Sequence, residues 1–169
     1  MANALVLNAA ELLRRPGSER DVDLAVQPDE LDVDDPRLVP GAPVTGRVHL
    51  ESLGDGIVVT GAVTAEWTGT CRRCLGAATG TATADVHEIY QSTLTDPDAF
   101  ELTGDQLDLR PMVRELVLLE LPDAPVCRDD CAGLCPTCGV DRNEVTCTCA
   151  TTATDPRWDA LGALRAELD

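Results

Sequence analysis

Lysine is absent from this 169-residue sequence, histidine occurs twice, and aromatic residues make up only 2% of the chain. All 13 basic residues are therefore arginines, and against 30 acidic residues they leave a formal net charge of −17. This balance excludes a protein that captures RNA chiefly by charge, because such binding needs basic side chains that neutralise phosphates. The few aromatic side chains also exclude a single-strand binder that stacks bases.

Long apolar runs are also missing. No window holds the roughly 18 consecutive apolar residues of a transmembrane helix. The apolar stretch Ala4–Ala10 is interrupted by Asn8 and has no basic region before it, so we expect no signal peptide. The sequence predicts a cytoplasmic protein with no membrane partner, of one domain or one domain plus a small appendage.

Alternating apolar and polar residues predict three strands in the first half of the chain. The strands fall within Val44–Leu50, Ile57–Trp67 and Ala78–Tyr90, and Gly54-Asp55-Gly56 supplies the first turn. Each strand contains a glycine, which permits curvature or close backbone approach. We therefore expect a curved antiparallel β-meander, partly barrel-like, with an edge strand at Phe100–Leu102.

Helical patterns flank and follow this sheet. Residues 108–121 predict the main helix, with Asp108 as N-cap and Pro122 after its end. Its expected apolar face comprises Met112, Leu116 and Leu119, flanked by Val113 and Leu118.

Shorter elements are expected near the termini. Residues 9–15 predict a short N-terminal helix, and residues 155–168 a C-terminal helix packed through Trp158 and Leu161. Residues 21–35 hold seven acidic and no basic residues, which indicates a solvated strand and loop or a docking surface for a basic partner.

The resulting fold class is α+β. A β-meander covered by one main helix forms a core over residues 1–122. A Cys-rich zinc-knuckle segment with the short C-terminal helix packs on it over residues 123–169.

Eight cysteines carry most of the chemical information. They occur as four close pairs: Cys71 and Cys74, Cys127 and Cys131, Cys135 and Cys138, Cys147 and Cys149. Two-residue spacing lets both sulfurs of a pair meet one metal ion, and Cys135-Pro-Thr-Cys138-Gly139 has the form of a zinc knuckle. Eight thiolates suffice for two four-cysteine sites, so we predict one or two structural zinc ions. His49 and His87 lie on the polar faces of predicted strands and are interpreted as surface residues.

Three alternatives to zinc remain. Disulfides need an oxidising compartment, and the expected absence of an export signal disfavours them. A thioredoxin-type redox pair needs a βαβ context, whereas Cys71 and Cys74 lie at a predicted hairpin tip. An iron–sulfur cluster is compatible with these ligands. Chain proximity groups Cys135 and Cys138 with the 147/149 pair, and Cys71 and Cys74 with the 127/131 pair, but exchange of the 127/131 and 147/149 pairs stays open.

Two stretches resemble a known family. They are Cys-Arg-Arg-Cys-Leu at 71–75 and residues 126–144 (VCRDDCAGLCPTCGVDRNE), the latter followed by Cys-x-Cys and Asp-Pro-Arg at 155–157. Together they resemble the bacterial YceD family, the large ribosomal RNA subunit accumulation proteins, over most of residues 20–169. One departure is Asp141-Arg142-Asn143, where many relatives have Asn-Leu-Asn.

The resemblance implies a non-enzymatic ribosome-biogenesis factor that supports synthesis, processing or stability of 23S rRNA, with no known catalytic residues. Expected partners are large-subunit ribosomal proteins, the rRNA precursor or the rRNA-processing machinery. The net charge favours a basic protein as the partner. Alternatively, Arg72 and Arg73 form a local patch that pairs with phosphate. The two arginines could equally serve only to offset the negative charge of the neighbouring thiolates.

An enzyme and a metal-binding or redox module are the two other classes of function. Enzyme motifs are missing, and a four-cysteine site leaves no open metal position for water, so we expect no enzyme. The alternative function is a zinc-binding or thiol redox module unrelated to ribosomes.

Overall fold

The computed structural model describes residues 5–149, 156–158 and 161. Its strands are β1 Val6–Asn8, β2 Glu19–Val26, β3 Val44–Ser52, β4 Gly56–Thr70, β5 Ala77–Gln91, β6 Phe100–Glu101 and β7 Gln106–Asp108. Its helices are α1 Ala10–Leu13 and α2 Arg110–Glu120, with short 3₁₀ turns at Pro28–Leu31 and Pro156–Trp158. No helix among these residues is both long and apolar enough to cross a membrane.

The main sheet has five strands in the order β2-β3-β4-β5-β6. Neighbours from β2 to β5 are antiparallel, whereas β6 pairs with β5 in parallel. The predicted edge strand near Phe100 is therefore present, but the sheet is mixed rather than purely antiparallel. The partly barrel-like prediction is wrong, because β2 and the two-residue β6 are open edges that do not pair with each other in the described part of the chain.

The predicted alternation holds in the three long strands. Val48, Val59 and Ala84 are buried with most of the predicted inward-facing residues, although Trp67 is only partly buried. The Thr and charged residues of these strands are exposed or partly exposed. Gly61 has φ of +144°, and a side chain there would collide with the Arg47 carbonyl oxygen on β3. A Cβ on Gly80 would lie 2.7 Å from the Trp67 indole ring. At both positions glycine permits close approach, as the sequence predicted.

Helix α2 begins and ends close to the predicted residues. The Asp108 carboxylate accepts a 3.0 Å hydrogen bond from the Arg110 N–H, although Leu109 occupies the N-cap position. The buried residues are Met112, Val113 and Val117. Leu116 and Leu118 are partly buried against the core, but Leu119 is 73% exposed, so the predicted apolar face is wrong at Leu119.

A small antiparallel ribbon of β1 and β7 precedes α2 and was not predicted. The predicted N-terminal helix is reduced to Ala10–Leu13. Most of the predicted C-terminal helix lies outside the described residues. Trp158 and Leu161 are 63% and 51% exposed, which contradicts their predicted packing role. The proposed division at residues 122 and 123 stays a prediction.

Candidate metal centre

The turn between β4 and β5 places the first cysteine pair at a hairpin tip. The Leu75 N–H donates to the Cys71 carbonyl at 2.9 Å, closing the Cys-x-x-Cys turn. The Arg73 N–H lies 3.4 Å from Cys71 Sγ and donates to it. Leu75 adopts a left-handed conformation with φ of +60°. This tight turn brings the Cys71 and Cys74 sulfurs to one side.

The segment after α2 is bound to that tip by backbone hydrogen bonds. The Arg72 N–H donates to the Pro125 carbonyl at 2.8 Å, and the Leu134 N–H donates to the Arg73 carbonyl at 2.9 Å. These bonds bring Cys127 and Cys131 to the hairpin. We call Cys71, Cys74, Cys127 and Cys131 the hairpin cluster.

The sulfurs of the hairpin cluster all lie within 4.8 Å of one another. Cys71 Sγ is 3.8 Å from Cys131 Sγ, and Cys74 Sγ is 3.7 Å from Cys127 Sγ. Four sulfurs placed about 2.3 Å from one ion form a tetrahedron with an edge of about 3.8 Å. The donor set therefore fits a single tetrahedral metal ion.

The other four cysteines form a second group, which we call the knuckle cluster: Cys135, Cys138, Cys147 and Cys149. Its sulfurs also lie within 4.8 Å of one another. The Gly139 N–H donates to the Cys135 carbonyl at 2.9 Å, and Gly139 has φ of +75°. Cys135 is buried and Cys138 is exposed. Of the two pairings that the sequence left open, the structure brings together the one based on chain proximity.

Each cluster mixes thiols of low and high pKa. Hydrogen bonds led by the Cys74 N–H lower the pKa of Cys71 to about 6, and the Cys138 N–H leads the same effect on Cys135. The Cys131 side chain, followed by burial, raises the pKa of Cys127 to about 12, and the Cys138 side chain does so for Cys149. Four neighbouring thiols therefore do not all ionise on their own, whereas a bound cation would offset their repulsion.

No disulfide joins any of the eight cysteines, which all lie within the described range 5–149. The two clusters could each hold a metal ion. Metal ligation by these residues stays a prediction.

The two histidines lie apart from both clusters. His49 Nδ1 is 2.9 Å from an Asp21 carboxylate oxygen, and this hydrogen bond raises the pKa of His49. His87 is exposed on β5. Neither residue joins the candidate metal groups found among the described residues.

The two arginines of the hairpin tip have different surroundings. The Arg73 guanidinium donates to the carbonyls of Asp129 and Cys131, at 2.9 and 3.2 Å. Arg72 is exposed, and its guanidinium forms no hydrogen bond or ion pair with residues 5–149. Arg73 thus supports the hairpin cluster, while Arg72 is accessible to a partner.

Asn143 was not predicted as a site residue, but its side chain contacts the hairpin cluster. Its Nδ2 donates to Cys131 Sγ at 3.4 Å. Asp141, one of the two residues that depart from the family pattern, accepts hydrogen bonds from both nitrogens of Asn143. The sequence signals for Asn143 were its position just after the knuckle and its match to the last residue of the Asn-Leu-Asn pattern of many relatives.

Comparison with known proteins gives one family. The model of the YceD family, described as "Large ribosomal RNA subunit accumulation protein YceD", matches residues 59–165. An uncharacterised protein of Mycobacterium tuberculosis is 32% identical over 95% of this chain and 81% of its own length. An uncharacterised protein of Mycobacterium leprae is 36% identical over 59% of this chain and 49% of its own length.

A more distant relative carries a functional name. The "Large ribosomal RNA subunit accumulation protein YCED homolog 1, chloroplastic" of Arabidopsis thaliana is 32% identical over 63 residues, which are 37% of this chain and 20% of that protein. No solved structure matches the chain.

Proposed function

Because this chain belongs to the YceD family of large ribosomal RNA subunit accumulation proteins, we propose that it supports synthesis, processing or stability of the 23S rRNA in the cytoplasm. The observation that carries this proposal is the family match over residues 59–165, which includes β5, α2 and all eight cysteines. The name of the chloroplast relative supports the same role.

Zinc is the proposed occupant of both clusters. The close spacing of four sulfurs supports one shared ion, because an iron–sulfur cluster distributes its cysteine ligands over several iron atoms. Four thiolates would leave no coordination position for water, so the ions would be structural. This closed coordination supports a non-enzymatic role.

A basic protein is the proposed direct partner. The net charge of −17 disfavours capture of RNA phosphates and favours a cationic surface such as that of a ribosomal protein. Part of the acidic surface is already paired within the chain, since Asp23 contacts Arg47 and Asp21 contacts His49. At the hairpin tip, Arg72 is the better candidate for a local contact with an rRNA phosphate, because the Arg73 guanidinium is already bound to the segment after α2.

A pull-down of the tagged, zinc-loaded full chain from native lysate tests the proposal. We expect large-subunit ribosomal proteins or rRNA precursors in the eluate at low and moderate salt. Retention of the proteins after RNase treatment would place the contact on protein. An eluate that contains neither ribosomal proteins nor rRNA precursors would contradict the proposal and favour a metal-binding or thiol redox module.

The Arg72→Glu variant tests the local contact in the same assay. We expect it to lower recovery of rRNA precursor several-fold, because an exposed guanidinium that can pair with a phosphate is replaced by a carboxylate that repels it. Arg20→Glu makes the same charge change on exposed β2 and serves as the control. Equal recovery with both variants would remove Arg72 from the interface.

A further inference from the structure

Asn143 belongs by sequence to the knuckle cluster, since it lies between Cys138 and Cys147. Its carboxamide nevertheless reaches the hairpin cluster, where Nδ2 donates to Cys131 Sγ at 3.4 Å and to Asp141 Oδ1 at 2.6 Å. The side chain therefore links the hairpin cluster to the segment that lies between the two cysteine pairs of the knuckle cluster.

The oxygen of the same carboxamide is also fully used. Asn143 Oδ1 accepts hydrogen bonds from the Ala132 N–H and from the Arg128 guanidinium, both at 2.8 Å. An asparagine side chain offers two N–H donors and an oxygen with two lone pairs. All four interactions are made, so the position and orientation of this side chain are fixed.

Backbone hydrogen bonds reinforce the link. The Arg142 N–H donates to the Gly133 carbonyl at 2.9 Å, and Leu134 forms an isolated β-bridge with Asp141. The residues that follow Cys131 are therefore bound to the residues between the two halves of the knuckle cluster.

We propose that the Asn143 carboxamide couples the two cysteine clusters, so that a metal ion in the knuckle cluster strengthens binding of metal by the hairpin cluster. This inference rests on the metal binding proposed above. An ion held by the knuckle cluster fixes both ends of the segment that carries Asn143, through Cys138 and Cys147. The fixed carboxamide then donates its N–H to the Cys131 sulfur, which offsets part of the negative charge that four thiolates place around a divalent ion.

Outer-shell hydrogen bonds of this kind typically change metal affinity about 10- to 100-fold. Asn143 is a positioning residue, because it acts on the metal through Cys131. Loss of the Asn143 N–H donor is therefore expected to lower the metal affinity of the hairpin cluster by a factor of this size.

Cysteine-resolved alkylation of the zinc-loaded full chain tests the coupling. Peptide mass spectrometry would give the alkylation rate of each hairpin cysteine under chelator challenge. We expect Asn143→Asp to raise these rates about 10- to 100-fold, because the N–H donor is replaced by a carboxylate oxygen. Removal of the knuckle site by Cys147→Ser with Cys149→Ser should raise them similarly, and combining both changes should add little.

Asn8→Asp is the matched control, since the Asn8 side chain accepts a hydrogen bond from the Ala10 N–H and donates none to residues 5–149. The cobalt-loaded protein gives a second readout, because loss of an N–H···S bond should shift the thiolate-to-cobalt charge-transfer band of the hairpin site, which global destabilisation would not do.

The outcomes separate the two proposals. The coupling would be overturned if the alkylation rates of the hairpin cysteines stay unchanged when the knuckle site is removed. It would also be overturned if the effects of Asn143→Asp and of removing the knuckle site are additive. Rates that zinc does not slow in the unmutated chain would instead overturn the proposed metal binding.

Discussion

Two cysteine turns of the same geometry carry different residues after the second cysteine. Leu75 and Gly139 each donate a 2.9 Å hydrogen bond to the carbonyl of the first cysteine, and both have positive φ. Glycine adopts this conformation without strain, whereas an L-residue with a Cβ is disfavoured there by about 1–2 kcal/mol. The Leu75 side chain is 65% exposed, so burial offsets little of this strain.

Substitution of Leu75 should therefore change the free energy of unfolding through backbone strain rather than through lost packing. We expect the free energy of unfolding to be higher for Leu75→Gly than for Leu75→Ala by about 0.5–1 kcal/mol, after allowing for the greater freedom of glycine in the unfolded chain. Urea unfolding of both zinc-loaded variants measures the difference. A more stable alanine variant would show that the left-handed turn is not strained.

At the level of the elements, α2 buries a stripe that runs through Met112, Val113 and Val117. Leu119 points to solvent although it belongs to a continuous apolar run with Leu118. The helix packs against β5 and β4, and this packing selects the buried face.

Alanine substitutions on the two sides of α2 should differ strongly. Met112→Ala should lower the free energy of unfolding by about 2–5 kcal/mol, because it leaves a cavity in the core. Leu119→Ala should change it by less than about 0.5 kcal/mol, as is usual for exposed positions. Chemical denaturation of both variants checks this, and similar losses would restore the helix face that the sequence pattern predicted.

The local pattern predicted the strands better than the helix rotation. Alternation with period two leaves one choice of buried face in β3, β4 and β5. Residues 116–119 are all apolar, so the sequence alone does not identify the buried side of α2. The β1–β7 ribbon pairs Val6 with Asp108, and no local signal specifies a pairing so distant in the chain.

For the candidate site, spacing identified the eight cysteines and narrowed their grouping to two options. The structure was needed to bring Cys71 beside Cys131, because that approach depends on how the segment after α2 returns to the hairpin. It was also needed for Asn143, whose role follows from a side-chain hydrogen bond to a residue 12 positions away.

Across the whole molecule, the two clusters connect different parts of the chain. The hairpin cluster joins the β4–β5 tip to the segment beyond α2, whereas all four cysteines of the knuckle cluster lie within residues 135–149. If each cluster holds the proposed ion, loss of the hairpin ion should affect the sheet and α2. Loss of the knuckle ion should have a more local effect in excess zinc, which keeps the hairpin cluster loaded.

Thermal unfolding in excess zinc tests this difference. We expect Cys71→Ser with Cys74→Ser to lower the Tm more than Cys147→Ser with Cys149→Ser, because metal binding to structural sites contributes directly to folding stability. Chelator treatment should lower the Tm of the unmutated chain and bring the three proteins close together. If the Tm values of the three proteins still differ after chelation, the difference comes from the serine substitutions themselves and not from loss of metal.

The contact between Cys71 and Cys131 spans 60 residues of sequence, and this span has a consequence for the unfolded chain. A cross-link that closes a loop of this length removes conformational entropy worth about 4 kcal/mol from the denatured ensemble, if it behaves as a disulfide does. The loop contains β5, β6, β7 and α2, together with the turns between them. A chain that keeps its hairpin ion on denaturation would begin refolding with its long-range loop already closed, and should therefore refold faster than the metal-free chain.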